Sequence, residues 1–182
     1  MSNTFNSVEN VNLNPETISF YLSYLQDAYL IEKSTRYDIK GKKYIGSLSK
    51  YYFTDIGLRN AILNFRQQEE SHIMENIIYN ELCIKGFAVD VGIVEHRTTD
   101  KDNQTIRKQY EVDFVANLGS QLYYIQSALS IPDKEKIMQE TNSLRHIKRL
   151  SNKFRRPLFM YRDKIDIRVR FANQHLILYI FL

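Results

Sequence analysis

The segment YEVDFVANLGSQLYYIQSALS, residues 110–130, constrains the fold more than any other part of the sequence. Two strand-like runs flank the turn residues Asn117–Ser120, a pattern that predicts a β-hairpin. Polar side chains interrupt both apolar runs: Glu111 and Asp113 lie in the first run and Gln126 lies in the second. The predicted hairpin therefore carries candidate functional groups on two adjacent strands.

The composition limits the class of protein. The chain has 182 residues, of which 43% are hydrophobic, enough for one domain with a buried core and a second, smaller unit. The single cysteine, Cys83, cannot build a disulfide framework or a cysteine zinc site, which fits a cytoplasmic protein. The polar MSNTFNSVEN lacks a signal region and LILYIFL is too short to span a bilayer, so we expect no membrane association. KGKK, residues 40–43, lacks the rest of a nucleotide-binding glycine loop, so this chain alone is not expected to bind ATP.

The positive charge is concentrated late in the sequence. Between residues 145 and 170, ten Lys and Arg residues stand against Asp163 and Asp166, a net charge of +8; the whole chain carries +4, so the remainder carries −4. Such a segment suits a phosphate backbone or an acidic protein partner, and it is equally typical of a solvated helix and loop. The candidates for nucleic-acid contact in this segment are Arg145, Lys148, Arg149, Arg155 and Arg156.

A helix is predicted at the start of the first half. In NPETISFYLSYLQDAYLIEK, Asn14 is a favourable N-cap and Pro15 fits the first helical position. Apolar residues at helical spacing predict one buried face, made of Ile18, Leu22, Leu25 and Tyr29. The following YLIEKSTRYDIKGKKYIGSLSKYYF is typical of strand, turn and strand. Its turn carries three further candidates for nucleic-acid contact, Lys40, Lys42 and Lys43.

A helix followed by a basic-tipped hairpin is the second part of a winged-helix module, in which the helix can enter a DNA major groove and the hairpin can touch the backbone. The predicted exposed face has none of the Arg, Lys, Asn or Gln side chains that read bases; it consists of Thr17, Ser19, Phe20 and Ser23. This composition favours a linker or a protein contact over DNA reading. The polar NFRQQEESH separates two differently patterned halves, so we predict domains at residues 1–66 and 67–182.

The second half is predicted to combine helices with strands. An apolar stripe at helical spacing ends at Gly86, and Glu75 lies at its edge; the stripe is Met74, Ile77, Ile78 and Leu82. A strand over FAVDVGIVEHR, the hairpin and an amphipathic helix around Ile137–Leu150 follow, with RPLFMYRD and HLILYIFL as closing strands. This order predicts a mixed sheet flanked by helices, in an α+β or α/β fold.

From about residue 15 to residue 182, the chain resembles the C-terminal region of bacterial and archaeal AAA-type ATPases. In that family a winged helix and a restriction-endonuclease-like domain of unknown function follow the ATPase module. The resemblance is carried, in this order and spacing, by KYYFTDIGLRNAIL, MENIIYNELCIKGFAVDVG, EVDFVA, YYIQSALS and QETNSLRHI. It implies a partial winged helix followed by a restriction-endonuclease-like mixed β-sheet flanked by helices. It also implies an ATPase module as partner, either upstream or as a separate chain.

The resemblance also implies an interpretation of the hairpin. Active members of the nuclease superfamily use a helix Glu, a strand Asp and an acid-x-Lys triplet on the next strand; the carboxylates hold Mg²⁺ and the lysine assists the attacking water. Carried over, Glu75 matches the helix Glu, Asp113 the strand Asp, and Gln126-Ser127-Ala128 the triplet. Gln126 and Ala128 remove one negative charge and the cation, unless Lys134 or Lys136 replaces the lysine. We therefore expect a degenerate site, with Glu75 and Asp113 as the metal candidates and any Mg²⁺ held weakly.

Three functions stay open on this basis. The first is a non-catalytic module of a AAA-type ATPase that contacts nucleic acid, such as DNA, through a basic surface. The second is a protein-interaction domain that positions or regulates the ATPase. The third is a slow metal-dependent nuclease. Salt-dependent DNA binding separates the first from the second, and metal-dependent cleavage identifies the third.

Overall fold

The computed structural model of the chain describes residues 14–66, 69–99, 103–128, 143, 147, 155–163, 166–171 and 175–176. Within these residues, the helices are α1 (Pro15–Asp27), α2 (Ile56–Ile62) and α3 (Glu70–Ile84). The strands are β1 (Ile31–Asp38), β2 (Lys43–Phe53), β3 (Ala88–Thr99), β4 (Thr105–Leu118), β5 (Gln121–Ala128), β6 (Arg155–Asp163), β7 (Asp166–Phe171) and β8 (His175–Leu176). They form an eight-stranded sheet in the order β2-β1-β3-β4-β5-β6-β7-β8.

The sheet is mixed. β1 runs parallel to β3 and β5 runs parallel to β6, while the other neighbouring strands are antiparallel. The expected α+β class is confirmed. The β4–β5 hairpin turns at Gly119, whose φ of 60° is the left-handed conformation that glycine adopts without steric cost. The β1–β2 hairpin belongs to the same sheet, so the two predicted domains share it.

The ends of the helices follow the sequence signals. The side chain of Asn14 accepts a hydrogen bond from the backbone N–H of Glu16, at 3.1 Å, and caps α1 as predicted. Gly86, with a φ of 83°, follows the last turn of α3. The buried stripe predicted for α1 is wrong in part: Ile18 is buried, but Leu25 and Tyr29 are exposed. None of the helices in the described ranges is long and apolar enough to cross a membrane.

Two apolar cores lie on opposite faces of the sheet. On the first face, α3 packs on the central strands; this core contains Tyr52, Met74, Ile78, Tyr79, Leu82, Val89, Phe114, Ala116 and Ile125. The second core contains Ile39, Val94, Val112, Val115, Tyr124 and Ile147. Of the helix predicted around Ile137–Leu150, only Ser143 and Ile147 belong to the described residues, and both are helical and buried. The sheet is therefore covered on both faces at its centre.

β4 contains a bulge where it pairs with β3 next to Gly92. The β3–β4 register is offset between Asp90 and Gly92, which pair with Val115 and Val112. A Cβ atom at Gly92 would lie 2.8 Å from Ile39 Cδ1, 2.8 Å from Val115 Cγ2 and 2.9 Å from Val112 Cβ. The absence of a side chain thus lets the second core close over β3.

We expect Gly92→Ala to lower the free energy of unfolding by about 1–3 kcal/mol, because the added methyl overpacks the second core. Urea unfolding of the full chain measures this change. Gly46→Ala is the matched control, since a Cβ at Gly46 meets no atom within 4 Å. Equal stability of the two variants would contradict the packing argument.

Candidate functional site

Three carboxylates lie together on the face of the sheet that α3 covers. Glu75 comes from the first half of α3, and Glu111 and Asp113 come from alternate positions of β4, so that both point to the same face. We call Glu75, Glu111 and Asp113 the carboxylate cluster. Glu75 is more buried than Glu111: 16% of the Glu75 side chain is exposed, against 34% of the Glu111 side chain.

Lys50 joins the two glutamates of the cluster. Its Nζ lies 2.8 Å from Glu75 Oε1 and 2.8 Å from Glu111 Oε1. Burial disfavours the charged ammonium, but the two carboxylates, Glu75 foremost, outweigh burial and raise the pKa of Lys50 above its ordinary value. Lys50 therefore stays charged and supplies one positive charge from within the protein to the two glutamates of the cluster.

Two further side chains on this face bind the glutamates. The phenol of Tyr52, two residues after Lys50 on β2, donates to Glu75 Oε1 at 2.6 Å. Burial and the charge of Glu75 raise the pKa of Tyr52 far above its ordinary value, so the phenol remains a donor. Arg36 Nη2 on β1 lies 3.0 Å from Glu111 Oε2. Each glutamate thus has two protein partners.

Asp113 is held by Ser127 on the neighbouring strand. Its Oδ2 accepts from the backbone N–H of Ser127 at 2.7 Å and from the Ser127 hydroxyl at 2.6 Å. The backbone pairing of β4 with β5 ends at Phe114 and Ile125. The Asp113 carboxylate therefore links the two strands just beyond their last backbone pair. Burial raises the pKa of Asp113 to about 6, although both hydrogen bonds from Ser127 favour the ionised form.

Asn76 fixes α3 against the sheet. Its side chain accepts from the backbone N–H of Phe53 at 2.8 Å and donates to the Phe53 carbonyl at 2.7 Å. Asn80 donates to the same carbonyl at 3.0 Å. These bonds satisfy the end of β2 and place the preceding residue, Glu75, directly against Lys50 and Tyr52. The position of the helix Glu is therefore set by buried polar contacts.

The structure corrects the assignment of Gln126 and Ala128 to the site. β4 and β5 are neighbours, as predicted, but Ser127, not Gln126, shares the face of Asp113. The side chain of Gln126 is buried on the opposite face and its Oε1 accepts from the hydroxyl of Ser143 at 3.0 Å. Ala128, two residues further, lies on the same face as Gln126. An acid or a lysine at these two positions would point away from the carboxylate cluster.

The β4 bulge is the physical reason for this correction. Strict alternation over β4 would put Asp113 and Val115 on one face. Val112 and Val115 both belong to the second core, whereas Phe114 belongs to the first, with Ile125. Because of the bulge, Asp113 and Phe114 both lie on the first face. The residue of β5 that shares the face of Asp113 is therefore Ser127, one position after Gln126.

The residues of the site do not fit a Mg²⁺ ion. Among the described residues, no three His, Cys, Asp or Glu side chains are grouped so that they could hold a metal ion. The oxygens of Glu75 and Glu111 that face each other both bind the Lys50 ammonium, and Asp113 Oδ2 is taken by Ser127. Mg²⁺ demands near-octahedral oxygen ligands, and a lysine cation between two of them excludes it by charge and by space.

The basic candidates are distributed differently. Lys40, Lys42 and Lys43 are exposed at the β1–β2 turn, where the Asp38 carboxylate accepts from the backbone N–H groups of Lys40 and Gly41 at 3.0 and 2.9 Å. Arg155 and Arg156 begin β6. The other candidates, Arg145, Lys148 and Arg149, lie outside the described residues, as do Lys134 and Lys136.

Lys50, Tyr52 and Arg36 are absent from the candidate site residues that the sequence singles out, and Ser127 is named there only as the middle residue of the triplet. Lys50 and Tyr52 do alternate within KYYF, which is the one local signal for two polar groups on a common face. Their partner Glu75 lies 25 residues away along the chain, and Glu111 lies beyond it. Only the tertiary structure brings these residues together.

The comparisons with known proteins identify relatives but no activity. Residues 3–69 match the profile of a domain of unknown function, DUF8612. An uncharacterized protein of Haemophilus influenzae is 35% identical over 148 residues, which are 81% of this chain and 33% of that protein. An uncharacterized protein of Methanocaldococcus jannaschii is 32% identical over 139 residues, 76% of this chain and 27% of that protein. The chain therefore spans about a third or less of the curated relatives it matches. No solved structure matches it significantly.

We expect the stability of the protein to fall as pH rises from about 3.8 to about 6. Asp113 ionises near 3.8 when unfolded and near 6 when folded, so the folded chain binds more protons across this window. The loss is about 3 kcal/mol and is complete above the folded pKa of Asp113. Urea unfolding of Asp113→Asn should show a flatter pH profile there. Glu32→Gln, at an exposed carboxylate, should keep the wild-type profile. An unchanged profile in Asp113→Asn would contradict this assignment.

Proposed function

We propose that the chain is a non-catalytic nucleic-acid-binding module of a AAA-type ATPase, built on a nuclease-like scaffold whose carboxylates are neutralised by a lysine. The observation that carries the proposal is the Lys50 ammonium, 2.8 Å from both Glu75 and Glu111. In a metal-dependent nuclease these carboxylates would bind the cation that stabilises the transition state. Here the cation is part of the fold, so binding without cleavage is the function that this arrangement supports.

The nucleic-acid part of the proposal is supported by the exposed turn of the β1–β2 hairpin. Lys40, Lys42 and Lys43 project into solvent at one end of the sheet, and we call these three residues the basic turn. Asp38 is engaged with the backbone of the turn and therefore shapes it. Cations on a fixed turn release counterions when they meet phosphates, which is the main source of sequence-independent affinity.

A second candidate function, protein interaction, is favoured by the aromatic surface of α1. Phe20, Tyr21 and Tyr24 are 63%, 59% and 62% exposed, and Tyr29 just beyond the helix is 77% exposed. Aromatic side chains clustered at a surface are typical of protein contacts. The proposed ATPase partner rests on the resemblance and on this surface. Binding of a separately expressed ATPase module by the full chain, lost in Phe20→Ser/Tyr24→Ser, would favour this function.

We expect Lys50→Met to destabilise the chain by about 2 kcal/mol, because it leaves two partly buried carboxylates without their shared cation. Mg²⁺ or Mn²⁺ should then restore part of the lost stability, whereas wild type should not respond to either ion. Thermal unfolding with and without each ion measures both effects. Lys33→Met, at an exposed position of β1, is the control. A comparable divalent-ion response in wild type would overturn the neutralised-site proposal.

Cleavage assays test the same proposal at the level of chemistry. Supercoiled, linear and single-stranded DNA and RNA should all remain intact with the full chain in Mg²⁺ or Mn²⁺. Cleavage that disappears in Asp113→Ala would restore the nuclease assignment.

We expect duplex DNA binding by the full chain to weaken with salt, and to weaken further when Lys40, Lys42 and Lys43 are changed to Ala. The loss of three phosphate contacts should lower the slope of log affinity against log salt by about 2 to 3. Fluorescence anisotropy between 50 and 200 mM salt provides the measurement. The control, Lys33→Ala/Arg66→Ala/Lys85→Ala, removes the same charge from exposed positions outside the hairpin turns. Equal losses of DNA affinity in both variants would show that the net charge of the protein, and not the position of the basic turn, determines binding.

A further inference from the structure

The β3–β4 hairpin extends beyond the rest of the sheet. β1 pairs with β3 over Val91–Ile93, and β5 pairs with β4 from Phe114 to Leu118. From Val94↔Tyr110 to Thr99↔Thr105, the described pairings of β3 and β4 are only with each other. We call residues 94–99 and 105–110 the arm. At about 3.4 Å per residue, these six paired positions form a two-stranded ribbon about 20 Å long.

The arm places two arginines opposite each other. Arg97 pairs with Arg107, and the adjacent pair is His96 with Lys108. Like charges directly opposite on antiparallel strands destabilise the pair. A single carboxylate, Glu95, serves both arginines: its Oε1 lies 3.0 Å from Arg97 Nε and 3.9 Å from Arg107 Nε. The guanidinium-bearing side chains remain 59% and 68% exposed, so most of their hydrogen-bonding capacity faces solvent.

One face of the arm continues the face of the carboxylate cluster. Glu111 belongs to the cluster, and alternation along β4 puts Gln109 and Arg107 on the same side. Arg97 joins them across the ribbon. The basic turn leaves the sheet at the same end, because β1 is parallel to β3 and Asp38 pairs with Ile93. The arm and the basic turn therefore lie at the same end of the described sheet.

We propose that the arm is a duplex-DNA contact that enters the major groove, with Arg97, Arg107 and Lys108 as its phosphate- and base-binding side chains. This inference rests on the proposed nucleic-acid-binding function and names its ligand and its second contact surface. The major groove of B-form DNA is about 12 Å wide and admits a two-stranded ribbon. The major groove of an RNA duplex is too narrow for one. The Arg97 face of the arm carries Arg97, Arg107, Gln109 and Glu95, and Arg and Gln are side chains that read base edges in the major groove.

The test compares three variants of the full chain with wild type on a 25-base-pair DNA duplex and on an RNA duplex of the same sequence. Arg97→Gln/Arg107→Gln removes the cross-strand pair while keeping polar side chains. Lys33→Gln/Lys85→Gln removes the same charge at the opposite end of the sheet, where β1 and β3 begin. Glu95→Gln removes the carboxylate that both arginines share.

We expect the arginine double variant to lose about tenfold in DNA affinity and about 2 in the magnitude of its salt slope. The Lys33/Lys85 variant should lose clearly less, and Glu95→Gln should bind DNA more tightly than wild type. Wild type should prefer the DNA duplex to the RNA duplex. Together these results would support the arm as a DNA contact.

Other results would overturn it in distinguishable ways. Unchanged DNA affinity in the arginine variant, or an equal loss in the Lys33/Lys85 variant, would contradict a DNA contact by the arm. Either result would still allow DNA binding through the basic turn. Equal affinity for DNA and RNA duplexes would contradict entry of the arm into the major groove. If wild type binds neither duplex at any salt concentration, the proposed function itself fails. Unfolding curves for each variant establish that an affinity loss is not a loss of fold. The fold is expected to survive because Arg97, Arg107, Lys33 and Lys85 are exposed and Glu95 is only partly buried.

Discussion

The ion pairs of Lys50 with Glu75 and Glu111 are the interaction on which the rest of the described site depends. They connect β2, α3 and β4, which are remote in sequence and meet on one face of the sheet. A single cation shared by two carboxylates loses its side-chain freedom once for two ion pairs, and its partial burial limits screening by salt. The hydrogen bond from Tyr52 to Glu75 completes the arrangement. The polar centre of this face is thereby closed to an external cation.

The three acids of this face are compensated by groups of the protein itself. Glu75 on α3 and Asp113 on β4 lie near each other on the α3 face. The glutamates are paired with the cations of Lys50 and Arg36, whereas Asp113 accepts hydrogen bonds from two uncharged donors of Ser127. Neutral donors offset a carboxylate less than a cation does, which is why burial still raises the pKa of Asp113.

The elements of the fold were predictable from sequence to the extent that their signals are local. Asn14, Gly86 and Gly119 mark ends and turns by their own backbone chemistry, and these predictions are confirmed. The faces of the strands were not predictable past the β4 bulge, because one extra residue reverses which side chains share a face. For that reason the sequence predicts Gln126 beside Asp113, whereas its side chain lies on the opposite face of the sheet. Lys50 could not be found, because its role exists only once three remote segments have packed together.

The distribution of charge on the α3 face fits the proposed binding at the end of the sheet where the arm lies. The carboxylate cluster has a formal charge of −3, and Lys50 and Arg36 supply +2, which leaves −1 above the pKa of Asp113. A phosphate approaching the centre therefore meets a net negative, already satisfied cluster. At the arm, Glu95 faces Arg97 and Arg107, so the same face ends in a net positive charge. The field along this face would draw a polyanion toward the arm and away from the acids. Attraction at the arm and repulsion at the carboxylate cluster are the electrostatic conditions that the proposed binding function requires.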